Sequence, residues 1–166
     1  MPPAIAVACT GSIVPPASQS SKVVTDYTGK MNRGRTTCAL LADKHTAFVD
    51  GLRGLLQETF DAVFVVADAR SLHLGTECLQ PTVIVVDLPL AEGDVAGLIQ
   101  RVRQTSPKSK LIALSVHDEP AVVTAVMSAG ADCVVFKHWV ARDLLRAIDT
   151  ALEGKTFVTP DIGLAS

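Results

Sequence analysis

The chain has 166 residues, of which 48% are hydrophobic and 4% aromatic, and its formal net charge is −2. That charge leaves no electrostatic footprint for nucleic acid, and no apolar run approaches the ~20 residues of a membrane span. A core with so few aromatics must be built from Val, Leu, Ile and Ala, which suits buried parallel strands flanked by helices. The length favours one domain with some excess.

The excess lies at the start. Residues 1–36 hold Pro2, Pro3, Pro15, Pro16 and the stretch PPASQSSK, with no hydrophobic period. They carry about +3, which leaves about −5 for the remainder. A disordered tail is expected there. PAIAVAC is similar to a lipoprotein cleavage site, but no positive residue precedes it and its apolar stretch is short for a secretory signal. Met31 offers a second candidate start. Cys9, Cys38, Cys78 and Cys133 form no C-x-x-C pair, and are expected as free thiols in a reducing cytoplasm.

From Thr37 onward, strand-like and helix-like patterns alternate. CALLA (38–42) reads as a first strand, and Phe48, Leu52, Leu55 and Leu56 form one helix face after it. AVFVVA (62–67) is a second strand, followed by a helix around 71–79 that Gly75 interrupts. TVIVVD (82–87) is the clearest strand, a continuous β-branched run buried on both faces. Val95, Leu98, Ile99 and Val102 mark the third helix. KLIALS (110–115) is the fourth strand, and the helix over 119–129 ends at Gly130 as a C-cap. CVVFK (133–137) is the fifth strand, and Leu145, Ile148 and Leu152 mark a last helix stopped at Gly154. Five βα units with short connections predict right-handed crossovers and helices on both faces of a parallel sheet. Ligands in such sheets bind at the carboxyl ends of the strands. Those ends carry Asp43 and Lys44, Asp87, Ser115 and Lys137. One Asp after a strand often only caps a helix; four polar positions at four strand ends point to a site.

The segments ADKHTAFVDGLRGLL, VIVVDLPLAEGD, LIALSVHDE, AGADCVVFK and LEGKTFVTPD resemble the receiver domain of two-component response regulators, most closely the NarL/LuxR type. The resemblance covers about Thr37 to Asp161. It implies a flavodoxin-like (CheY-like) doubly wound α/β fold with a five-stranded parallel sheet of order 2-1-3-4-5. It also implies a tail over 1–36, a receiver domain over 37–154 and a linker remnant over 155–166. In that family an aspartate at the end of strand three takes a phosphoryl group from a histidine kinase or phosphotransfer protein. Asp87 matches that phosphoacceptor. The Mg²⁺ of the family would be held through Asp43, Lys44, Asp87 and the backbone carbonyl of Pro89. Ser115 matches the hydroxyl that contacts the phosphoryl group, and Lys137 the lysine that pairs with it.

The departures are as informative. The family's acidic pair is Asp43-Lys44, so a cation replaces one carboxylate. The aromatic switch position is Val134. Ala91 and Val95 stand where the family has a proline and a glycine, and His138-Trp139 follow Lys137 without a proline. Two carboxylates in one cleft repel unless a cation relieves them. Lys44 paired with Asp43 or Asp87 at ~4 Å would supply up to ~4 kcal/mol of Coulomb energy at an effective dielectric of about 20, before desolvation costs. In the alternative, Lys44 faces solvent and only weakens a metal site. Any Mg²⁺ at Asp43 and Asp87 is expected to bind weakly.

His45, His117 and His138 each follow a strand end, but no supporting pattern accompanies them and they are not expected to hold a metal. Cys133 is read as core packing. Arg142, Asp143 and Arg146 form a charged helix face, either merely solvated or part of a homodimer surface on helix four, strand five and helix five. GKTFVTPDI matches the start of a linker toward a helix-turn-helix, which does not follow here, so DNA binding by this chain alone is not expected. The leading expectation is a cytoplasmic, non-enzymatic, atypical receiver acting by protein contact, with weak or no phosphorylation at Asp87. A conventional Mg²⁺-dependent phosphoacceptor and a phosphorylation-independent small-ligand sensor remain as alternatives.

Overall fold

In the computed structural model, residues 36–160 are described. All but the last residue of the expected N-terminal tail therefore falls outside them. Strands β1 (Cys38–Ala42), β2 (Ala62–Val66), β3 (Val83–Asp87), β4 (Lys110–Ser115) and β5 (Cys133–Phe136) alternate with helices α1 (Thr46–Gln57), α2 (Ala69–Leu79), α3 (Val95–Thr105), α4 (Pro120–Ala129) and α5 (Val140–Leu152). A two-residue strand β6 (Phe157–Val158) follows. All pairings are parallel, in the order β2-β1-β3-β4-β5-β6.

The continuous apolar strands are explained by cover on both faces. Side chains alternate along a strand. Leu40, Ile84 and Ala113 pack toward Leu72, Ile99 and Val126 on one side. Ala39, Leu41, Val85 and Leu114 pack toward Leu52, Leu56, Leu144 and Ile148 on the other. Burial at both surfaces supplies the main stabilisation, roughly 25 cal/mol per Å² of apolar surface.

Local chemistry sets several ends. The Asp68 carboxylate accepts the Ser71 N–H at 2.7 Å and caps α2, and the Asp94 carboxylate accepts the Gly97 N–H at 3.0 Å and caps α3. Gly130 ends α4 at φ 123°, where a side chain would be strained, and a Cβ there would stand 3.2 Å from the Arg103 side chain. Arg103 uses that approach to donate to the Gly130 and Ser109 carbonyls and to pair with Asp132 at 2.7 Å.

The fold class and the order of the first five strands are as the sequence implies. Three details differ. Gly75 does not interrupt α2, because it is buried in a continuous helix. The buried face of α5 is Leu144, Ala147, Ile148 and Ala151, so Leu145 and Leu152 sit at its margin. Residues 157–158, expected within a linker remnant, add a sixth strand. Phe157 and Val158 pair with Cys133 and Val134. The Thr159 N–H donates to the Val134 carbonyl at 2.9 Å, and the Thr159 hydroxyl accepts the Phe136 N–H at 3.1 Å. An otherwise open edge of β5 takes its partners from this segment.

The cysteine expectation holds for Cys38 and Cys133, which are free and buried, and burial pushes both thiols up to about 11. Cys78, half-buried on α2, departs from it and is disulfide-bonded. No helix among the described residues is long and apolar enough to cross a membrane.

Candidate functional site

The strand order reverses direction between β1 and β3. The chain leaves β1 toward β2 on one side and continues from β3 toward β4 on the other. β1 and β3 are neighbours with Ala42 opposite Val86. The residues that follow in each, Asp43 and Asp87, therefore meet at the carboxyl edge, where this topology opens a crevice. Both side chains have no exposed surface.

Lys137, just beyond β5, lies between them. Its Nζ stands 2.9 Å from Asp43 Oδ2 and 3.0 Å from Asp87 Oδ1, and its side chain is only 11% exposed. The same ammonium rests 4.5 Å from the centroid of the Phe48 ring, on the first turn of α1. His45 closes the other side. Its backbone N–H donates to Asp43 Oδ1 at 2.9 Å, its Nδ1 is 2.9 Å from the same oxygen, and Nδ1 is 3.5 Å from Asp87 Oδ2.

The two carboxylates titrate in opposite directions. Burial pushes Asp43 up, but the His45 N–H, Lys137 and the His45 ring together hold it below the ordinary range. Burial dominates at Asp87, and with the Asp43 charge it lifts that carboxyl above the ordinary range despite Lys137 and His45. Neither Asp87 oxygen receives an aligned hydrogen bond. The Lys137 contact at 3.0 Å is thus a charge contact with poor alignment rather than a directed bond.

Lys44 is not part of this arrangement. It is exposed and makes no ion pair among the described residues. The reason is geometric. The chain bends at Lys44, and the Asp43 carboxylate accepts the His45 N–H at 2.9 Å across that bend. The turn leaves the Lys44 side chain exposed and brings His45 Nδ1 to 2.9 Å from Asp43 Oδ1. The expected Lys44 ion pair is replaced by Lys137. Substituting Lys44→Ala should therefore change stability by no more than about 0.5 kcal/mol, measured by urea unfolding. A larger loss would put the Lys44 ammonium back in the cleft.

The other expected residues lie around the pocket with their polar groups engaged elsewhere. The Ser115 hydroxyl donates to the His117 carbonyl at 2.7 Å and accepts the His117 N–H at 3.1 Å. Pro89 lies in a 3₁₀ turn (Leu88–Ala91), and its carbonyl accepts the Glu92 N–H at 3.2 Å. Val134 is fully buried in β5. His117 and His138 are exposed, and of the three candidate histidines only His45 joins the cluster of possible ligands with Asp43 and Asp87. From sequence, Phe48 reads only as part of a helix face, and His45 as one of three histidines past strand ends that are not expected to hold a metal. The signal for His45 was its place two residues past Asp43, where an Asp side chain commonly accepts the backbone N–H.

Arg142, Asp143 and Arg146 do more than face solvent. Arg142 holds the buried Asp143 carboxylate through two contacts of 2.7 Å and stacks on the Trp139 ring at 4.5 Å. Arg146 lies 5.8 Å over Phe157 of β6. Arg142 first, then Thr159 and Arg146 against the cost of burial, keep the Asp143 carboxyl below its ordinary range.

An all-parallel sheet of this order, with two buried aspartates bridged by a lysine at its carboxyl edge, defines a flavodoxin-like protein of the receiver class. The chain belongs to the response regulator receiver domain family, which matches residues 39–149. It is 28% identical over 127 residues to the transcriptional regulatory protein RcsB of Escherichia coli, covering 74% of this chain and 58% of that protein. It is 27% identical over 126 residues to the transcriptional regulatory protein MctR of Rhizobium johnstonii, again covering 74% and 58%. The chain thus spans somewhat over half the length of these relatives. The isolated REC domain of RcsB from Salmonella enterica serovar Typhimurium in the apo form is similar in structure. Its TM-score is 0.64 at 28% identity, over 75% of this chain and 93% of that one.

Receiver domains imply Mg²⁺, and the donors here fit it poorly. Mg²⁺ demands near-octahedral oxygen coordination at about 2.1 Å. Of the four positions expected to serve it, Asp43 and Asp87 keep carboxylates, while Lys44 offers a cation that faces solvent. The Pro89 carbonyl accepts the Glu92 N–H and keeps one lone pair.

Proposed function

We propose that this chain is an atypical receiver domain of two-component signalling that acts through protein–protein contacts, with weak or no phosphorylation at Asp87. The carrying observation is the exposed Lys44 where the family has its second acid, which leaves Asp43 without an acidic neighbour. Phosphoryl transfer to a carboxylate depends on positioning and on neutralising the charge of the transferred group. The nucleophile must also be ionised. Burial favours the neutral form of Asp87, and the metal that would oppose this has lost a ligand. The partners are a kinase-side protein, or a second copy through α4, β5 and α5, and the role is signalling rather than catalysis.

Incubation with acetyl phosphate and millimolar Mg²⁺, followed by intact-protein mass measurement, tests this reading. Little or no phosphate adduct is expected. Near-stoichiometric, acid-labile phosphate that disappears in Asp87→Asn would make the chain a conventional phosphoacceptor.

A further inference from the structure

The cleft divides its four carboxylate oxygens between two nitrogen atoms. Asp43 Oδ2 and Asp87 Oδ1 face Lys137 Nζ. Asp43 Oδ1 and Asp87 Oδ2 face His45 Nδ1, at 2.9 and 3.5 Å. One donor atom from each of Asp43, His45 and Asp87 lies within 4.8 Å of the others. Two ligands on a shared cation with bonds of about 2.1 Å stand about 3.0 Å apart at right angles and about 3.4 Å apart at the tetrahedral angle. The two histidine-to-carboxylate separations are close to these values. Asp87 is fully buried, and both of its oxygens lack an aligned donor, so a buried anion aims at this point without a hydrogen-bonding partner. His45 is 56% exposed at the mouth, which leaves an entry path. The Asp43 Oδ1 that accepts the His45 N–H keeps a second lone pair for a ligand bond.

We propose that Asp43, His45 and Asp87 form a binding site for a borderline divalent cation of the Zn²⁺ or Co²⁺ type, in place of Mg²⁺. An imidazole nitrogen suits such ions, whereas Mg²⁺ takes oxygen ligands and dehydrates reluctantly. The bend that leaves Lys44 exposed also brings His45 Nδ1 to 2.9 Å from Asp43 Oδ1, so a nitrogen donor stands at a site that lacks the second acid. Lys137 remains on the other pair of oxygens. The cation then has three protein ligands and a position open to solvent or an anion. This deepens the reading of the cleft as one ill-suited to Mg²⁺-driven phosphorylation. The phosphate assay and the cation assay fail separately, because the second contains no phosphodonor.

The test uses the whole chain, freed of metal with a chelator and dialysed, and titrated calorimetrically with ZnCl₂, CoCl₂ or MgCl₂ alone. Zn²⁺ should bind one to one, at least about 100-fold tighter than Mg²⁺, and Co²⁺ should give visible absorption from its ligand field. His45→Ala should lose at least about tenfold in Zn²⁺ affinity, while the paired change His117→Ala and His138→Ala leaves it unaltered. If His45→Ala does not fold, His45→Asp serves instead: exchanging nitrogen for oxygen should narrow the Zn²⁺ preference over Mg²⁺ by at least about tenfold. Mg²⁺ binding as tightly as Zn²⁺ would overturn the proposal. So would full Zn²⁺ affinity in His45→Ala, an unchanged preference in His45→Asp, or Zn²⁺ binding lost only with His117 and His138.

Discussion

Replacing Lys137→Met should destabilise the protein by about 3–5 kcal/mol, because it leaves two fully buried carboxylates without their shared cation. For a domain of this size the melting temperature should fall by on the order of 15 °C. The test is a pair of melting curves in buffer containing a chelator, so that no bound ion restores the charge. A second change, Asp87→Asn, should recover most of the loss, since one carboxylate facing His45 is far less costly than two. The two substitutions touch one network, so their effects should be strongly non-additive. If Lys137→Met melts within about 1 kcal/mol of wild type, the ammonium does not neutralise the cleft.

Asp87→Asn alone should stabilise the protein at pH 7, by about 1–3 kcal/mol. The sign follows from the direction of the shift. The folded Asp87 carboxyl is raised above its ordinary value, chiefly by burial. A raised group favours the folded state below its unfolded pKa of about 4, and that contribution is lost as pH rises through the folded value. At pH 7, well above the ordinary carboxylate range, the raised Asp87 is therefore a cost, and the amide removes it. The advantage of the variant should shrink as pH falls toward about 4, where wild-type Asp87 becomes neutral. Asp43 shifts the other way, so it loses stability as pH falls, but it is present in both proteins. Urea unfolding at several pH values measures the difference. An advantage that does not change between pH 7 and pH 4 would mean that burial of charge at Asp87 is not its cause.

The strands were legible because burial on both faces leaves long apolar runs such as Val83–Val86, with an abrupt polar stop at Asp87. That stop also located the site: topology alone brings the residues after β1 and β3 together. Of the two lysines expected at the strand ends, Lys137 reaches both carboxylates and Lys44 stays exposed. Adjacency in the chain argued for Lys44, but the bend there leaves its side chain outside the cleft. Lys137 arrives from the far end of the chain, through a sheet order that one sequence implies only by resemblance. The habit of Asp to accept the N–H two residues on was available at the sequence level, and places His45 beside Asp43. β6 left no such trace, since two residues are too few to show a period. Its existence depends on the free edge of β5, which belongs to another part of the chain.

That short strand has a consequence for solubility. A parallel sheet ending at β5 would expose backbone donors and acceptors along Cys133–Phe136, flanked by apolar side chains. Such a border invites addition of strands from other molecules. Phe157, Val158 and Thr159 occupy it with bonds to Val134 and Phe136, and the exposed Val158 side chain is followed by Pro160, which cannot donate to a further strand. A chain ending at Thr156 should thus show light scattering that rises with concentration, while the full chain stays dispersed. These few residues cover a border that would otherwise stand open.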